Sequence, residues 1–153
     1  MLGELTATEI EDLLRGQFTG RIGCHADGRT YVVPIGYAYD GRFVYCHSPE
    51  GLKLRMMRKN PVVCFEVDRI ENIGNWRSVI ATGRFEELRG REAIAAMEVL
   101  IARFAAIGRV LEPHPSYVLR ASQTESPLAD GRPVVIYRIR LTEKTGRFER
   151  TAF

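Results

Sequence analysis

Two Asp-Gly dipeptides, at 27–28 and 40–41, divide residues 18–48 into three strand-like segments. Asp-Gly is typical of tight hairpin turns, because such turns need positive φ, which Asp tolerates and Gly adopts at little cost. The run therefore predicts three consecutive antiparallel strands. A parallel sheet is disfavoured, because parallel neighbours need a long crossover connection, usually a helix. No glycine-rich phosphate loop of the GxGxxG or GxxxxGK[ST] type is present either.

Helical patterns flank these strands. "TATE" at 6–9 is a capping box that predicts a helix ending near Gly16. A second helix is expected over 51–59, ended by Asn60-Pro61. The third and clearest lies over 90–108, with an apolar stripe formed by Ile94, Met97, Leu100, Ile101 and Phe104.

Three further strand patterns follow the hairpins: "VVCFEVDRI" from 62, "NWRSVIATGRFEEL" from 75, and a final strand from 133. The first is nearly all apolar, which predicts that it is covered on both faces. Residues 108–132, rich in proline and polar side chains, are expected to be irregular. Five or six antiparallel strands with peripheral helices predict an α+β fold, a small β-barrel, with residues 1–153 as one domain.

Composition excludes several classes of protein. Hydrophobic residues make up 45% and charged residues 27%, as in soluble globular proteins. No apolar run approaches the roughly 20 residues that cross a bilayer, and acidic residues occupy the place where a signal peptide is basic. We therefore expect a cytoplasmic protein with no membrane partner. A net charge of +3 suits an anionic small molecule at least as well as nucleic acid, so no nucleic-acid partner is predicted.

Cysteines and histidines give no sign of a metal site. The three cysteines are odd in number and form no CxxC pair, which predicts buried reduced thiols at Cys24, Cys46 and Cys64. The three histidines lack helical metal-ligand spacing. No serine lies in a nucleophile elbow, and no catalytic residue is assigned. His25 and His47 are candidate proton donors only.

The turn before the 51–59 helix is a candidate anion site. A helix start offers free N–H groups and the positive end of the helix dipole. Lys53 lies in the first turn, where the dipole favours an acid, and Ser48 lies just before it. Two interpretations stay open here: an ordinary solvated face, or a site built for an anion. Arg58 and Lys59 lie at the helix C-terminus, where cations are favoured without any ligand.

Two other segments could contact a ligand. Pro34 falls inside a predicted strand, which places it at a sheet edge or a bulge, with backbone polar groups left unpaired nearby. "NWRS" at 75–78 offers an aromatic surface beside hydrogen-bond donors. The alternative for Trp76 is a place in the core, with Arg77 on the surface.

Taken in order, these segments resemble the pyridoxamine 5′-phosphate oxidase-like, FMN-binding split-barrel family. The resemblance is carried by "YVVPIGYAYDGRFVYCHSPEGLKLRMMRKNPVVCFEVD" and "NWRSVIATGRFEEL". The chain is similar to the small branch that includes 5-nitroimidazole reductases. It lacks the arginine-rich C-terminal segment of true pyridoxamine phosphate oxidases, since its tail reads "EKTGRFERTAF".

The resemblance implies a homodimer with FMN in a groove at the subunit interface. The isoalloxazine ring would lie along Val33, Pro34 and Ile35. The ribityl chain and phosphate would be approached by Tyr45, Cys46, His47 and Ser48. Lys53, Arg77 and Ser78 would neutralise the phosphate, and Trp76 would close the pocket.

The function implied is an FMN-dependent oxidoreductase acting on a small molecule, nitroreductase-like in chemistry. Two alternatives stay open at this stage. The protein could be a flavin-binding carrier or redox sensor without turnover, or the same barrel could bind haem or a deazaflavin.

Overall fold

The computed structural model describes residues 1–108 and 133–151. This part of the chain contains three helices: α1 (Ala7–Gly16), α2 (Leu52–Lys59) and α3 (Gly90–Gly108). It also contains eight strands: β1 (Leu2–Glu4), β2 (Thr19–Ala26), β3 (Arg29–Gly36), β4 (Ala38–Tyr39), β5 (Phe43–Pro49), β6 (Val62–Asn72), β7 (Asn75–Glu87) and β8 (Val134–Arg150). The irregular excursion expected at 108–132 lies outside the described residues, apart from Gly108.

The strands form one antiparallel sheet in the order β3-β2-β6-β7-β8-β5-β4, and β1 pairs with the far part of β8. β3 also contacts β5, although no backbone pairing between them exists in the described residues. The sheet therefore curls so that β3, its first strand, approaches β5 near its other end. We call the gap between β3 and β5 the seam of the barrel. The predicted α+β class with antiparallel strands and peripheral helices is confirmed.

The sequence predicted five or six strands, whereas the described residues form eight. Two short strands were missed because they carry little periodicity. β1 has three residues, and β4 has two. At Tyr37 the chain changes partner, since β3 pairs with β2 whereas β4 pairs with β5. Tyr37 is fully buried at this change, and its hydroxyl donates a hydrogen bond of 2.6 Å to the carbonyl of Leu14.

The predicted hairpin turns and helix cap are confirmed. Asp27 and Gly28 both have positive φ, 53° and 72°, as the two-residue turn between β2 and β3 requires. Thr6 and Glu9 form the capping box at the start of α1. Pro34 lies on β3, an edge strand of the sheet, as its lack of an amide hydrogen predicted.

The core lies inside the curled sheet. Strand side chains that point inward are fully buried, among them Ile22, Phe65, Val67, Val79, Tyr137 and Ile139. Leu13 and Leu14 of α1 and Leu54 and Met57 of α2 belong to the same cluster. The two helices thus bury their apolar faces against the open parts of the barrel.

Three expectations about burial were wrong. β6 alternates instead of being covered on both faces, so Cys64 is exposed while Cys24 and Cys46 are buried. The reason is that successive strand residues point to opposite faces, so Val63 and Phe65 face the core while Val62 and Cys64 face outward. Ile94, one member of the predicted α3 stripe, is 45% exposed, whereas Leu100 of the same stripe is fully buried beside Ala96.

No helix in the described part of the chain is both long and apolar enough to cross a membrane.

Candidate anion-binding site

The start of α2 is an uncapped helix terminus. Gly51 occupies the N-cap position, no side chain of residues 1–108 or 133–151 caps the helix there, and its first turn contains no acidic residue. The free N–H groups of such a turn, together with the helix dipole, favour an anion. The sequence expectation of a helix beginning near Gly51 is confirmed, and the terminus is open to a ligand.

Lys53 brings a cation into this first turn. Its side chain is half-buried and makes no hydrogen bond or ion pair with any described residue. Burial lowers the pKa of its ammonium group, and the nearby thiols of Cys46 and Cys24 act weakly in the opposite direction. A half-buried cation without a counterion is unfavourable, and an anion bound beside it would relieve that cost.

Two further polar groups at the end of β5 lack partners. Ser48 is 6% exposed, and its hydroxyl forms no hydrogen bond within the described residues. It lies near the buried hydroxyl of Tyr137, which is also without a hydrogen bond there. The Nδ1 atom of His47 is also buried and forms no hydrogen bond within the described residues. Burial, and then the charge of Lys53, lower the pKa of His47, so the neutral ring is favoured.

Strand alternation separates the four predicted residues of β5 into two pairs. Cys46 and Ser48 point into the barrel, whereas Tyr45 and His47 lie on the outer face. The Tyr45 hydroxyl donates a hydrogen bond of 2.9 Å to Asp40. Burial raises the pKa of the Cys46 thiol, which is therefore neutral at ordinary pH. A ligand on one face of the sheet can therefore contact only one of these two pairs.

The open edge of β3 approaches the outer face of β5. The outer-face side chain of His47 packs edge-on against Phe104 of α3, with ring centroids 6.0 Å apart. The Phe104 ring would lie 3.4 Å from a Cβ placed on Gly36 at the end of β3. β3 and β5 thus converge at the seam of the barrel, beside the start of α2.

The three residues predicted on β3 also alternate. Val33 and Ile35 are half-buried, and Ile35 packs against the core, whereas Pro34 is exposed on the outer face. Among the residues that the structure describes, β3 pairs through its backbone with β2 only, so its other edge offers backbone groups that a planar polar ligand could use.

Trp76, Arg77 and Ser78 lie elsewhere. They stand at the beginning of β7, where the indole Nε1 of Trp76 donates to Glu149 at 3.0 Å. Trp76 and Arg77 border a cavity of about 180 Å³, whose walls include Phe148 and Arg150. α2 adjoins the other end of β7, through a hydrogen bond from Arg58 to Glu87. Ten strand residues separate Arg77 from Glu87, about 30 Å, so one copy of the chain does not bring Arg77 to Lys53.

Two of the other three cations of α2 are paired with acids, whereas Arg55 is exposed and has no ion pair with a described residue. Arg58 binds Glu50 and Glu87, and Lys59 lies 2.5 Å from Asp27. The prediction that these two residues need no ligand is confirmed. Sequence analysis did not identify Glu50 or Tyr137 as neighbours of the site. Tyr137 alternates with Arg138 in the sequence of β8, but the partner of a side chain on another strand leaves no local signal.

The comparison with protein families settles what kind of chain this is. A family model described as pyridoxamine 5′-phosphate oxidase matches residues 6–148. The chain belongs to the pyridoxamine 5′-phosphate oxidase family. This membership confirms the resemblance inferred from the hairpin segment, the α2 segment and β7.

Solved structures with the same fold support the family assignment. An FAD-binding protein from Mesorhizobium loti is 30% identical, with a TM-score of 0.72 over 97% of this chain and 98% of that one. A candidate 5-nitroimidazole antibiotic resistance protein from Bacteroides thetaiotaomicron is 18% identical, with a TM-score of 0.70 over 97% of this chain and 87% of that one. The second likeness concerns the fold alone. The predicted split barrel is confirmed.

A curated relative matches over a shorter length. Uncharacterized protein RA0666 of Rhizobium meliloti (strain 1021) is 34% identical over 84 residues. The match spans 55% of this chain and 56% of that protein, little more than half of either.

Proposed function

We propose that this member of the pyridoxamine 5′-phosphate oxidase family is an FMN-dependent oxidoreductase that holds the flavin phosphate at the start of α2. The observation that carries the proposal is Lys53, half-buried and without an acidic partner in the described residues, at an uncapped helix start. The nearly complete match to an FAD-binding protein at 30% identity supports a flavin as the ligand.

The groups at the start of α2 suit a phosphate. Helix amides and the Lys53 ammonium donate hydrogen bonds, and the Ser48 hydroxyl can donate another if its side chain turns toward the ligand. The neutral ring of His47 can hydrogen-bond to a ligand at the seam. A bound flavin would supply the electron-transfer chemistry, while these residues bind and orient it. The ring would lie along Val33, Pro34 and Ile35, next to the open backbone edge of β3.

FMN is proposed in preference to FAD because the described residues offer one compact anion site. FMN carries a single terminal phosphate, whereas FAD carries two phosphates and an adenine. The flavin released from purified protein by heat or acid can be separated by chromatography. Recovery of FMN would support the choice, and recovery of FAD would reject it while leaving a flavoprotein.

A homodimer is proposed because one copy does not bring Arg77 to Lys53: Arg77 stands about 30 Å along β7 from Glu87, the residue that contacts α2. In the dimer, Trp76, Arg77 and Ser78 of one copy would face Lys53 of the other. Mixed dimers of Lys53→Ala and Arg77→Ala chains test this arrangement. In such a dimer, one of the two sites would combine the intact Lys53 of one chain with the intact Arg77 of the other. FMN should therefore bind at one site per mixed dimer. A monomer in solution, or no recovery on mixing, would reject the arrangement.

The experiment that tests the function is flavin binding followed by turnover. Titration of protein with FMN should quench the flavin fluorescence to saturation at one flavin per chain. Reduction by a nicotinamide donor and reoxidation by an added acceptor, a nitroimidazole first, should then be followed at the flavin absorbance band. Binding without reoxidation by any acceptor would leave a carrier or sensor. Absence of flavin uptake would reject the proposal.

A further inference from the structure

Arg58 connects both ends of α2 to the end of β7. Its guanidinium donates to both oxygens of Glu50, at 2.8 and 2.7 Å, and to both oxygens of Glu87, at 2.9 and 3.0 Å. A planar guanidinium can hold two carboxylates in this way because its N–H groups form a fixed fork. We call these three residues the Arg58 clasp.

Glu50 occupies a sensitive position in the chain. It directly precedes the N-cap Gly51 and stands three residues before Lys53. A carboxylate near a helix start is attracted by the dipole and by the charge of a lysine in the first turn. Without another partner, Glu50 would therefore be drawn toward the free amides and the ammonium group of the anion site.

The clasp fixes the position of a carboxylate that is ionised at neutral pH. Hydrogen bonds from Arg58 are the largest influence on the carboxyl group, and they hold the pKa of Glu50 below its usual value. Arg58 likewise lowers the pKa of Glu87. Glu50 is thus a full negative charge at neutral pH, and a released Glu50 would compete directly with a bound anion.

We propose that Arg58 is a positioning residue that withholds the carboxylate of Glu50 from Lys53 and so keeps the anion site open for a phosphate. The inference rests on the proposed function of the same site. It differs from a purely structural role, in which Arg58 would only fasten α2 to β7. The two roles can be separated by neutralising Glu50 in a chain that lacks Arg58. A neutral side chain at position 50 no longer competes with a bound anion, but it does not fasten α2 to β7 again.

The test measures dissociation constants for FMN and for riboflavin, which has the same ring and no phosphate. Arg58→Ala should weaken FMN binding roughly five- to tenfold, the combined effect of an ion pair and the helix dipole. Riboflavin binding should change less than about twofold. The double variant Arg58→Ala with Glu50→Gln should return FMN affinity to within about twofold of Glu50→Gln alone.

A control variant removes an arginine from the same neighbourhood. Arg89 lies 3.7 Å from Glu87, its side chain is 85% exposed, and it has no ion pair with Glu50. Arg89→Ala should leave FMN affinity within about twofold of the wild type. Arg58→Lys, which keeps one charge near Glu50, should show a smaller loss than Arg58→Ala, and it serves as the test variant if Arg58→Ala does not fold.

The outcomes distinguish this inference from the proposed function. If the wild type binds FMN more tightly than riboflavin but the double variant stays as weak as Arg58→Ala, the competition is absent and the inference is overturned. A loss of the same size for FMN and riboflavin would also overturn it, since the phosphate would not be involved. If the wild type binds neither flavin, the proposed function itself fails and takes the inference with it.

Discussion

Arg58 and Lys53 lie on one eight-residue helix, yet Arg58 donates four hydrogen bonds to two carboxylates while Lys53 has no acidic partner in the described residues. Both side chains carry the same charge. The difference follows from position, since Arg58 stands in the last turn beside Glu87 and Lys53 in the first turn beside free helix amides. Of these two cations, the one without an acid in the described residues is therefore the one at the N-terminal end of α2.

Replacement of Lys53 by alanine should weaken FMN binding roughly 10- to 100-fold, the usual worth of a hydrogen bond to a charged group. Riboflavin binding should change little, because the phosphate is the group that Lys53 would contact. Fluorescence titration measures both constants. Lys59→Ala is the matched control, since Lys59 is exposed and already paired with Asp27. Equal losses in the two variants would show that general charge rather than placement is responsible.

The affinity for FMN relative to riboflavin should fall as the pH rises through the lowered pKa of Lys53. Only the protonated ammonium attracts the phosphate, and burial makes the free protein lose that proton at a lower pH than an ordinary lysine does. Phosphate binding should raise this pKa, so a proton is taken up on binding in that range. Because the two ligands share one ring, its own titration cancels in the ratio. A ratio that falls in the same way in Lys53→Ala would contradict this assignment.

Removal of the buried hydroxyl should affect the free energy of unfolding differently at Tyr37 and at Tyr137. Tyr37→Phe deletes the 2.6 Å hydrogen bond to Leu14, and it should lower the free energy of unfolding by about 1–2 kcal/mol. Tyr137→Phe deletes a hydroxyl without a hydrogen bond in the described residues, and it should be neutral or slightly stabilising. Urea unfolding of both variants provides the comparison. A large loss for Tyr137→Phe would mean that its hydroxyl has a partner in the folded protein.

Gly83 stands where β7 shifts its register against β8, and it has no room for a side chain. A Cβ there would lie 2.4 Å from Ile139 Cγ2 and 2.9 Å from the carbonyl oxygen of Arg140. Gly83→Ala should therefore destabilise the protein by about 3 kcal/mol. Gly16→Ala, at the end of α1 with nothing within 4 Å of its Cβ, should be neutral or stabilising by up to about 1 kcal/mol. Similar effects at both glycines would show that the close contact in the sheet relaxes easily.

Local patterns predicted most of the elements because they act through neighbouring residues. The Asp27-Gly28 turn, the Thr6–Glu9 capping box and the end of α2 at Asn60 all follow from backbone geometry over four residues or fewer. The short β1 and β4 were missed, because two or three residues show no period. Cys64 was misplaced, because an apolar strand gives no sign of which face lies outside.

The candidate site was predicted in part for the same reason. Ser48 and Lys53 are close in sequence, so the turn between them could be assigned to one place. Glu50 was not recognised as paired, because its partner Arg58 can be known only once α2 and β7 lie side by side. The distance between Trp76 and Lys53 also depends on how the sheet is ordered.

The sequence by itself determined where the three helices and the longer strands lie, that Pro34 lies at a sheet edge, and that α2 starts with a cation where the dipole favours an anion. These are consequences of dihedral preferences and charges within a few bonds. The tertiary structure alone decided that β8 runs between β7 and β5, that the side chain of Cys64 faces outward, and that Arg58 holds Glu50. Pairings of this kind depend on the burial of the whole core, to which residues far apart in the chain contribute together.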